Sequence, residues 1–206
     1  MVCHIGVLVS GRGTNMVAIV RAVERRYIKG ADVRVVISDN GDAKALVSAR
    51  RHGLEAVFVD PSGRGREAYD RLLLDELLKR GVTPDQGLVA LAGFMRILSP
   101  FFVKAFKNRI MNIHPALLPS FPGLRAQEQA LERGVKVSGC TVHFVVPEVD
   151  SGPIILQKAV KVEERDTPET LASRILRQEH RAYPLAVKLF VEGRLSVVGK
   201  KVQVRN

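Results

Sequence analysis

The sequence predicts an α/β protein with an open, mostly parallel twisted sheet, helices on both faces, and antiparallel strands in the C-terminal part. Three observations support this fold. Short apolar runs alternate with amphipathic stretches through the first half of the chain, as in right-handed strand–helix–strand units. The middle runs are apolar at nearly every position, as expected of strands buried on both faces. After residue 114 the runs become longer and alternate more.

The first half of the chain contains five candidate strands separated by candidate helices. Each strand run is short and rich in aliphatic residues, and each helical stretch repeats its apolar residues at three to four positions. The predicted strands are 3–9, 33–38, 56–59, 87–90 and 109–113. The predicted helices are 16–28, 43–51, 67–79 and 100–106.

The second half begins with a proline-rich loop and a short helix near 127–133. Two alternating runs, 138–146 and 154–162, are expected to pair antiparallel at the far side of the sheet. A long helix is predicted from about 167 to 181. Pro184 is expected to break it, because proline removes a helical hydrogen bond. A further helix and a small hairpin or edge strand complete the chain.

Length and composition indicate one globular domain, 1–206, without a linker or internal repeat. The sequence is 46% hydrophobic and 26% charged, which is typical of soluble proteins rather than disordered ones. No apolar stretch approaches the ~20 residues of a membrane span. The first nine residues lack the basic region of a signal peptide. With Cys3 and Cys140 as its two cysteines, the chain is expected in the cytoplasm, without a disulfide framework.

The formal net charge of +11 is compatible with two kinds of partner. Phosphate neutralisation by lysine and arginine would suit a nucleic acid. However, basic residues are mixed with acidic ones along the chain, and the aromatic content is 5% with no tryptophan, which leaves few platforms for base stacking. The composition therefore favours anionic small molecules over nucleic acid as partners.

The segment Asn112-Ile113-His114-Pro115 is the strongest functional signal. In a strand, alternate side chains share a face, so Asn112 and His114 are expected side by side with Ile113 towards the core. Pro115 cannot donate to a sheet, so the strand should end there. A carboxamide and an imidazole together suit a reaction that needs an oxyanion donor and a proton carrier near neutral pH.

A glycine loop, Ser10-Gly11-Arg12-Gly13-Thr14-Asn15, lies between the first strand and the first helix. At that place, glycines let the backbone approach an anion, and the helix N-terminus supplies free N–H groups for a phosphate. The loop matches neither the dinucleotide fingerprint nor the ATP-binding P-loop. A plain tight turn capped by Thr14 or Asn15 is the alternative.

The remaining polar candidates depend on context. Asp150, in the loop between the two alternating runs, is by itself a common turn residue. Beside His114 it would raise the imidazole pKa and relay protons through a water. His143 is expected to be a packed or hydrogen-bonded core histidine, with a catalytic role as the less favoured alternative, and His180 is expected to be structural. Metal-ligand spacings and a serine nucleophile elbow are not found in the sequence.

Taken together, these segments resemble the folate-dependent phosphoribosylglycinamide formyltransferase family. The matching segments run in order over nearly the whole chain: 10–15, 91–100, 111–119, 138–144, 150–156, 178–180 and 183–184. The resemblance implies a formyltransferase-type fold whose N-terminal half binds the phosphorylated substrate. The C-terminal half would complete the folate and catalytic sites.

The resemblance also implies roles for individual residues. The catalytic trio would be Asn112, His114 and Asp150. The phosphate loop would be Gly13, Thr14 and Asn15, and Glu179 would bind the substrate ribose. The implied folate site comprises Arg66, Met95, Arg96, Ile97, Leu98, Asn112, Val146, Pro147, Glu148, Val149 and Asp150.

The implied reaction is direct formyl transfer from 10-formyltetrahydrofolate, as co-substrate, to the amine of glycinamide ribonucleotide. Asn112 would hold the formyl oxygen, and His114, kept protonated by Asp150, would stabilise the oxyanion. No metal, ATP or covalent enzyme intermediate is expected. No nucleic acid or membrane partner is expected either, and the protein would be a monomer or homodimer.

The sequence departs from the family pattern at three positions: Arg125 stands where a histidine is frequent, Ala116 where serine is common, and Leu176 where relatives often have a polar residue. Related reactions of similar enzymes are the alternatives. Methionyl-tRNA formyltransferases and formyltetrahydrofolate deformylases normally have additional domains and lack the phosphate loop. Sugar formyltransferases share the trio but not the loop. A basic binding protein with an inert formyltransferase fold would have no use for the trio.

Overall fold

The computed structural model describes residues 2–205, which form nine strands and six helices. The strands are β1 (Cys3–Val9), β2 (Ala31–Ser38), β3 (Ala56–Phe58), β4 (Leu88–Leu91), β5 (Ile110–His114), β6 (Val137–Phe144), β7 (Ile154–Lys161), β8 (Leu195–Val198) and β9 (Lys201–Val204). The helices are α1 (Thr14–Glu24), α2 (Lys44–Arg51), α3 (Arg66–Leu78), α4 (Pro100–Ala105), α5 (Ala126–Glu132) and α6 (Pro168–Val191).

All strands form one sheet in the order β3-β2-β1-β4-β5-β6-β7-β9-β8. The pairs among β1 to β5 are parallel, whereas β5–β6, β6–β7 and β8–β9 are antiparallel. This confirms the predicted fold class, with one parallel contact between β7 and β9 in the otherwise antiparallel part. The strand order reverses between β1 and β4, and ligands of open α/β sheets bind at such a switch point.

Both faces of the sheet are covered. Along β1, Val7 belongs to a core cluster that includes Met16 and Ile19 of α1. Leu8, pointing the other way, belongs to a second cluster with Leu73 of α3 and Phe102 of α4. The alternation of strand side chains thus places apolar residues on both faces, which explains why the central strands are apolar throughout.

Helix α1 ends at Glu24, four residues before the predicted end at 28. The reason is local. Arg26 adopts a left-handed backbone with φ 58°, and the Ile28 N–H donates to the Ala22 carbonyl at 3.1 Å. This return of the chain is a helix-ending motif, so the apolar Ile28 is buried beyond the helix rather than inside it.

The predicted break at Pro184 is wrong, because α6 continues through it to Val191. Proline in a helix interior forfeits one hydrogen bond, but the residues on both sides are buried in the core. Tyr183 is fully buried, and its hydroxyl donates to the Leu91 carbonyl at 3.0 Å and the Met111 carbonyl at 2.8 Å. Tertiary packing therefore holds the helix across the proline.

No helix within residues 2–205 combines the length and apolar character needed to cross a bilayer.

Candidate active site

The predicted catalytic residues meet where the parallel and antiparallel halves of the sheet join. Asn112 and His114 lie at the end of β5, which stops at His114 as predicted. Asp150 lies in the β6–β7 loop with a left-handed backbone, φ 50°. Its Oδ2 is 3.3 Å from His114 Nδ1. The side chains of His114 and Asp150 are only 4% and 9% exposed, so they face each other largely away from bulk water.

Two hydrogen bonds fix the position of this pair. The Gly123 N–H donates to Asp150 Oδ2 at 2.8 Å, which ties the proline-rich loop to the carboxylate. His114 Nε2 lies 2.7 Å from the Phe121 carbonyl oxygen. Because a carbonyl can only accept, the proton of the neutral imidazole belongs on Nε2. Nδ1 then has a free lone pair facing Asp150, and it becomes a donor to Asp150 only when His114 is protonated.

The pKa of His114 is lowered from its ordinary value, mainly because burial disfavours the charged ring. The nearby Asp150 raises that pKa, but by less than burial lowers it. This balance runs against the expectation that Asp150 keeps His114 protonated, because the net shift favours the neutral ring.

Asp150 itself stays ionised. Burial raises its pKa, but the nearby imidazole of His143, the Gly123 N–H and the imidazole of His114 together outweigh burial, and the net shift is downward. The site therefore pairs a carboxylate with a neutral imidazole that can accept a proton beside it.

His143 is a site residue that the sequence analysis placed in the core. Its Nε2 lies 3.3 Å from Asn112 Nδ2 and 3.6 Å from Asp150 Oδ1. Its Nδ1 lies 3.0 Å from the Phe144 carbonyl, so the neutral ring presents Nε2 as the acceptor for Asn112. This contact orients the Asn112 amide so that one of the two hydrogens on Nδ2 is donated to His143. The second hydrogen on Nδ2 remains available to a ligand oxygen.

Pairing explains how His143 reaches the site. In the antiparallel register, Asn112 is directly opposite His143, and directly opposite residues of paired strands lie on the same face. Both strands were predicted from the sequence. Their antiparallel pairing with each other and its register were not, because the only pairing predicted for 138–146 was with 154–162.

The glycine loop lies at the start of α1, as predicted. Gly13 is the N-cap with φ 71°, and a β-carbon there would collide with Ala45 of α2. Gly13 is therefore required for both backbone conformation and space. Asn15 Nδ2 donates to Glu179 Oε2 of α6 at 2.7 Å, which joins two of the predicted substrate-binding residues. Burial raises the pKa of Glu179, and the Asn15 hydrogen bond partly opposes the shift.

Two cavities open beside the catalytic residues. The first, of about 660 Å³, is lined by Gly13, Thr14, Asn15 and Glu179 together with Leu176. The second, of about 460 Å³, contains every predicted folate residue except Arg66: Met95, Arg96, Ile97, Leu98, Asn112, Val146, Pro147, Glu148, Val149 and Asp150. His114 and His143 also line the second cavity.

The two cavities share a wall made of Gly93, Met95, Ile113 and Pro115. The Met95 N–H donates to Ser10 Oγ at 2.9 Å, so the loop after β4 is bonded to the glycine loop. Ligands in the two cavities would therefore approach each other at the end of β5, next to Asn112 and His114.

Arg66 is exposed at the first turn of α3 and does not line either cavity. Its proposed contact with folate stays a prediction. Arg125 caps α5 with a left-handed backbone, φ 56°, and its side chain is 77% exposed, with Nη1 3.6 Å from Glu128 Oε2. Arg125 borders the folate cavity. The hydrogen bond to the Asp150 carboxylate comes from the Gly123 N–H and not from residue 125.

The fold and this site define a protein of the formyl transferase class: residues 3–187 match the model of the formyl transferase family, and the chain belongs to that family. The chain is 45% identical over 195 residues to phosphoribosylglycinamide formyltransferase of Escherichia coli K12, covering 94% of this chain and 90% of the relative. The resemblance drawn from the sequence motifs is thereby confirmed.

Known structures agree. Glycinamide ribonucleotide transformylase 1 from Symbiobacterium toebii superposes with a TM-score of 0.95 at 52% identity, covering all of this chain and 95% of that one. A formyltetrahydrofolate deformylase from Pseudomonas syringae also has the fold, with a TM-score of 0.90 at 26% identity, but this chain covers 67% of it.

Proposed function

We propose that this chain transfers the formyl group of 10-formyltetrahydrofolate to the amine of 5'-phosphoribosylglycinamide in purine biosynthesis. The products are 5'-phosphoribosyl-N-formylglycinamide and tetrahydrofolate. The observation that carries the proposal is the shared wall of the two cavities. One cavity has the chemistry of a phosphate and ribose site, and the other is mainly apolar and suits a flat heterocycle. They share a wall that includes Ile113 and Pro115, next to Asn112 and His114 in the chain.

In the proposed binding step, the ribonucleotide phosphate lies against the N–H groups of the Gly13–Asn15 turn at the positive end of α1. Glu179, held by Asn15, accepts hydrogen bonds from the ribose hydroxyls. The folate ring lies between the 95–98 loop and the 146–150 loop. This arrangement leaves the acceptor amine near the end of β5, where the formyl group is held.

In the proposed chemical step, the amine attacks the formyl carbon and the formyl oxygen becomes an oxyanion. Asn112 stabilises that oxygen with the Nδ2 hydrogen that His143 leaves free. The amine proton passes, directly or through a water, to the neutral His114 at Nδ1, and the imidazolium formed is stabilised by Asp150 3.3 Å away. The proton then moves to the departing folate nitrogen as the carbon–nitrogen bond breaks and the oxyanion collapses to the amide.

This scheme uses a neutral histidine at the outset, in accordance with the downward pKa shift of His114. The ionised Asp150 favours proton uptake at His114 Nδ1, because the imidazolium formed there lies next to its carboxylate. The reaction needs neither metal nor ATP in this scheme. A monomer or homodimer acting on small molecules, without nucleic acid or membrane, remains our prediction.

The test is release of tetrahydrofolate from 10-formyltetrahydrofolate, measured with and without the ribonucleotide. We expect turnover to require the ribonucleotide and to fall ~100-fold or more in His114→Ala, the usual effect of losing one group that stabilises the transition state. His4→Ala is the matched control, because His4 lies on β1 and pairs with Asp32.

Two outcomes would contradict the proposal. Folate deformylation that is indifferent to the ribonucleotide would indicate a hydrolase, like the deformylase that shares this fold. Equal activity in wild type and His114→Ala would remove the catalytic role from this histidine.

A further inference from the structure

A third cavity, of about 800 Å³, lies on the outer side of α1, between it, α2 and α6. Apart from Arg12 and Thr14, which also line the first cavity, its lining residues have no role in the proposed reaction. Its wall contains four arginines, Arg12, Arg21, Arg25 and Arg181. Arg21 and Arg25 are one helical turn apart, so their side chains project from the same side of the chain.

The arginines of this cleft are not neutralised. Within residues 2–205, none of the four has a carboxylate oxygen within 4.0 Å, and no aspartate or glutamate lines the cleft. Among the described residues that line the cleft, His52 is the one with an acidic partner, Glu24, whose Oε1 is 2.8 Å from His52 Nδ1. Arg71, outside the cleft, is by contrast paired with Glu67 at 2.7 Å. Four guanidinium groups around one concavity repel one another unless an anion joins them.

The remaining residues that line the cleft are partly polar and partly apolar. His180 lines it, and its Nε2 makes no hydrogen bond within the described part of the chain. The apolar part of the lining consists of Val17, Ala18 and Pro184, and Tyr27 also lines the cleft. Arginine forks bind phosphate oxygens two at a time, and a cavity of this volume is within the range of small-ligand sites.

We propose that this cleft is a second anion site, which binds a polyphosphate group, either free or as the phosphate chain of a nucleoside triphosphate. A compact polyanion suits the geometry better than a nucleic acid strand does, because the cations line one concavity instead of following a track. Among the described residues that line it, Tyr27 is the only tyrosine, phenylalanine or tryptophan. Arg12 and Thr14 line both this cleft and the proposed substrate cavity, so the bound anion lies beside the glycine loop.

The test is isothermal titration calorimetry of the unmodified chain in low salt, with tripolyphosphate, adenosine triphosphate and uncharged adenosine as probes. We expect both polyphosphates to bind with one-to-one stoichiometry, more weakly as salt is raised, and adenosine not to bind. Tighter binding of the nucleotide than of tripolyphosphate would identify the nucleotide as the better source of the phosphate chain.

The discriminating variant is Arg21→Gln combined with Arg25→Gln. It should weaken polyphosphate binding by about tenfold or more, since each guanidinium contributes a charge-assisted hydrogen bond. Arg133→Gln combined with Arg165→Gln removes the same charge from exposed residues outside the cleft and should leave affinity nearly unchanged. Formyl transfer is not needed for either measurement, so this inference and the proposed function can fail separately.

Four results would overturn the inference. The first is the lack of saturable polyphosphate binding. The second is equal weakening by the two double variants, which would mean a diffuse charge effect. The third is no weakening by either double variant, which would place the anion at the glycine loop. The fourth is tight binding of a single-stranded oligonucleotide when tripolyphosphate does not bind. Thermal unfolding of each variant checks that the fold is retained.

Discussion

Glu179 is a buried carboxylate to which we assign a role in binding the substrate and whose charge does not favour folding. Its side chain is held by Asn15 at 2.7 Å, and burial raises its pKa above the ordinary 4.5. For an acid with a raised folded-state pKa, the contribution to stability is full below the unfolded value and is lost as pH rises through the folded value. At neutral pH the charged Glu179 therefore destabilises the fold.

We predict that Glu179→Gln is more stable than wild type at neutral pH and equally stable in acid. The amide keeps an acceptor for Asn15 and carries no charge, so the gain in free energy of unfolding should be on the order of 1 kcal/mol. Urea unfolding at about pH 7.5 and about pH 4 measures both. The KM for the ribonucleotide should rise in the same variant.

The control for this prediction is Glu164→Gln, an exposed glutamate whose neutralisation should change stability little at either pH. A Glu179→Gln protein that is less stable than wild type at neutral pH would contradict the argument. It would show that the hydrogen bond from Asn15 outweighs the cost of burying the charge.

The residues of the site differ in how far the sequence predicted them. Asn112 and His114 could be paired without a structure, because they share one strand and the strand period is fixed. His143 could not, because its contact with Asn112 depends on the register between two strands. The charge state of His114 could not be read from the sequence either, since the competing effects of burial and Asp150 on its pKa depend on three-dimensional packing.

At the scale of elements, the β6–β7 loop positions Asp150 by means of a tight backbone contact. Gly152 lies two residues after Asp150, and a β-carbon there would clash with the Phe144 carbonyl oxygen at the end of β6. The same part of the loop is fixed by the Phe144 N–H, which donates to the Pro153 carbonyl at 2.9 Å. Backbone atoms cannot give way as a flexible side chain can, so an alanine must move the loop.

We predict that Gly152→Ala lowers kcat by ~100-fold, because a shift of about 1 Å in a catalytic group has effects of that size. The matched control is Gly65→Ala. Its added β-carbon meets no atom within 4 Å, and its φ of −66° suits any residue. Steady-state kinetics with circular dichroism separates the two variants. Full activity in Gly152→Ala would show that the loop relaxes without moving Asp150.

Helix boundaries show the limit of local rules at this scale. The start of α6 was predictable: Thr167 accepts from the Thr170 N–H at 3.3 Å and Pro168 occupies the first turn. Its continuation through Pro184 was not, because burial of Tyr183 and its neighbours against the sheet outweighs the missing hydrogen bond. Local sequence thus fixes where this helix begins, and long-range packing fixes where it ends.

For the whole molecule, the order of the strands explains why the site lies where it does. The chain builds β1, β2 and β3 outward in one direction and then returns to place β4 and β5 on the other side of β1. The glycine loop after β1 and the loop after β4 are therefore neighbours at the switch point. Antiparallel β6 then delivers His143 and Asp150 to the same edge from the opposite direction.

The net charge of +11 is also a property of the whole molecule. A cationic protein attracts an anionic substrate before contact, and salt screens that attraction over roughly 10 Å at 0.1 M. We predict that kcat/KM for the ribonucleotide falls by about tenfold between ~20 mM and ~200 mM salt, while kcat stays nearly constant because the buried trio is poorly screened. The matched substrate is the corresponding ribonucleoside, which has the same acceptor amine but no phosphate. Its kcat/KM should depend much less on salt. Equal salt dependence for the two acceptors would show that the charge of this protein does not steer its phosphorylated substrate.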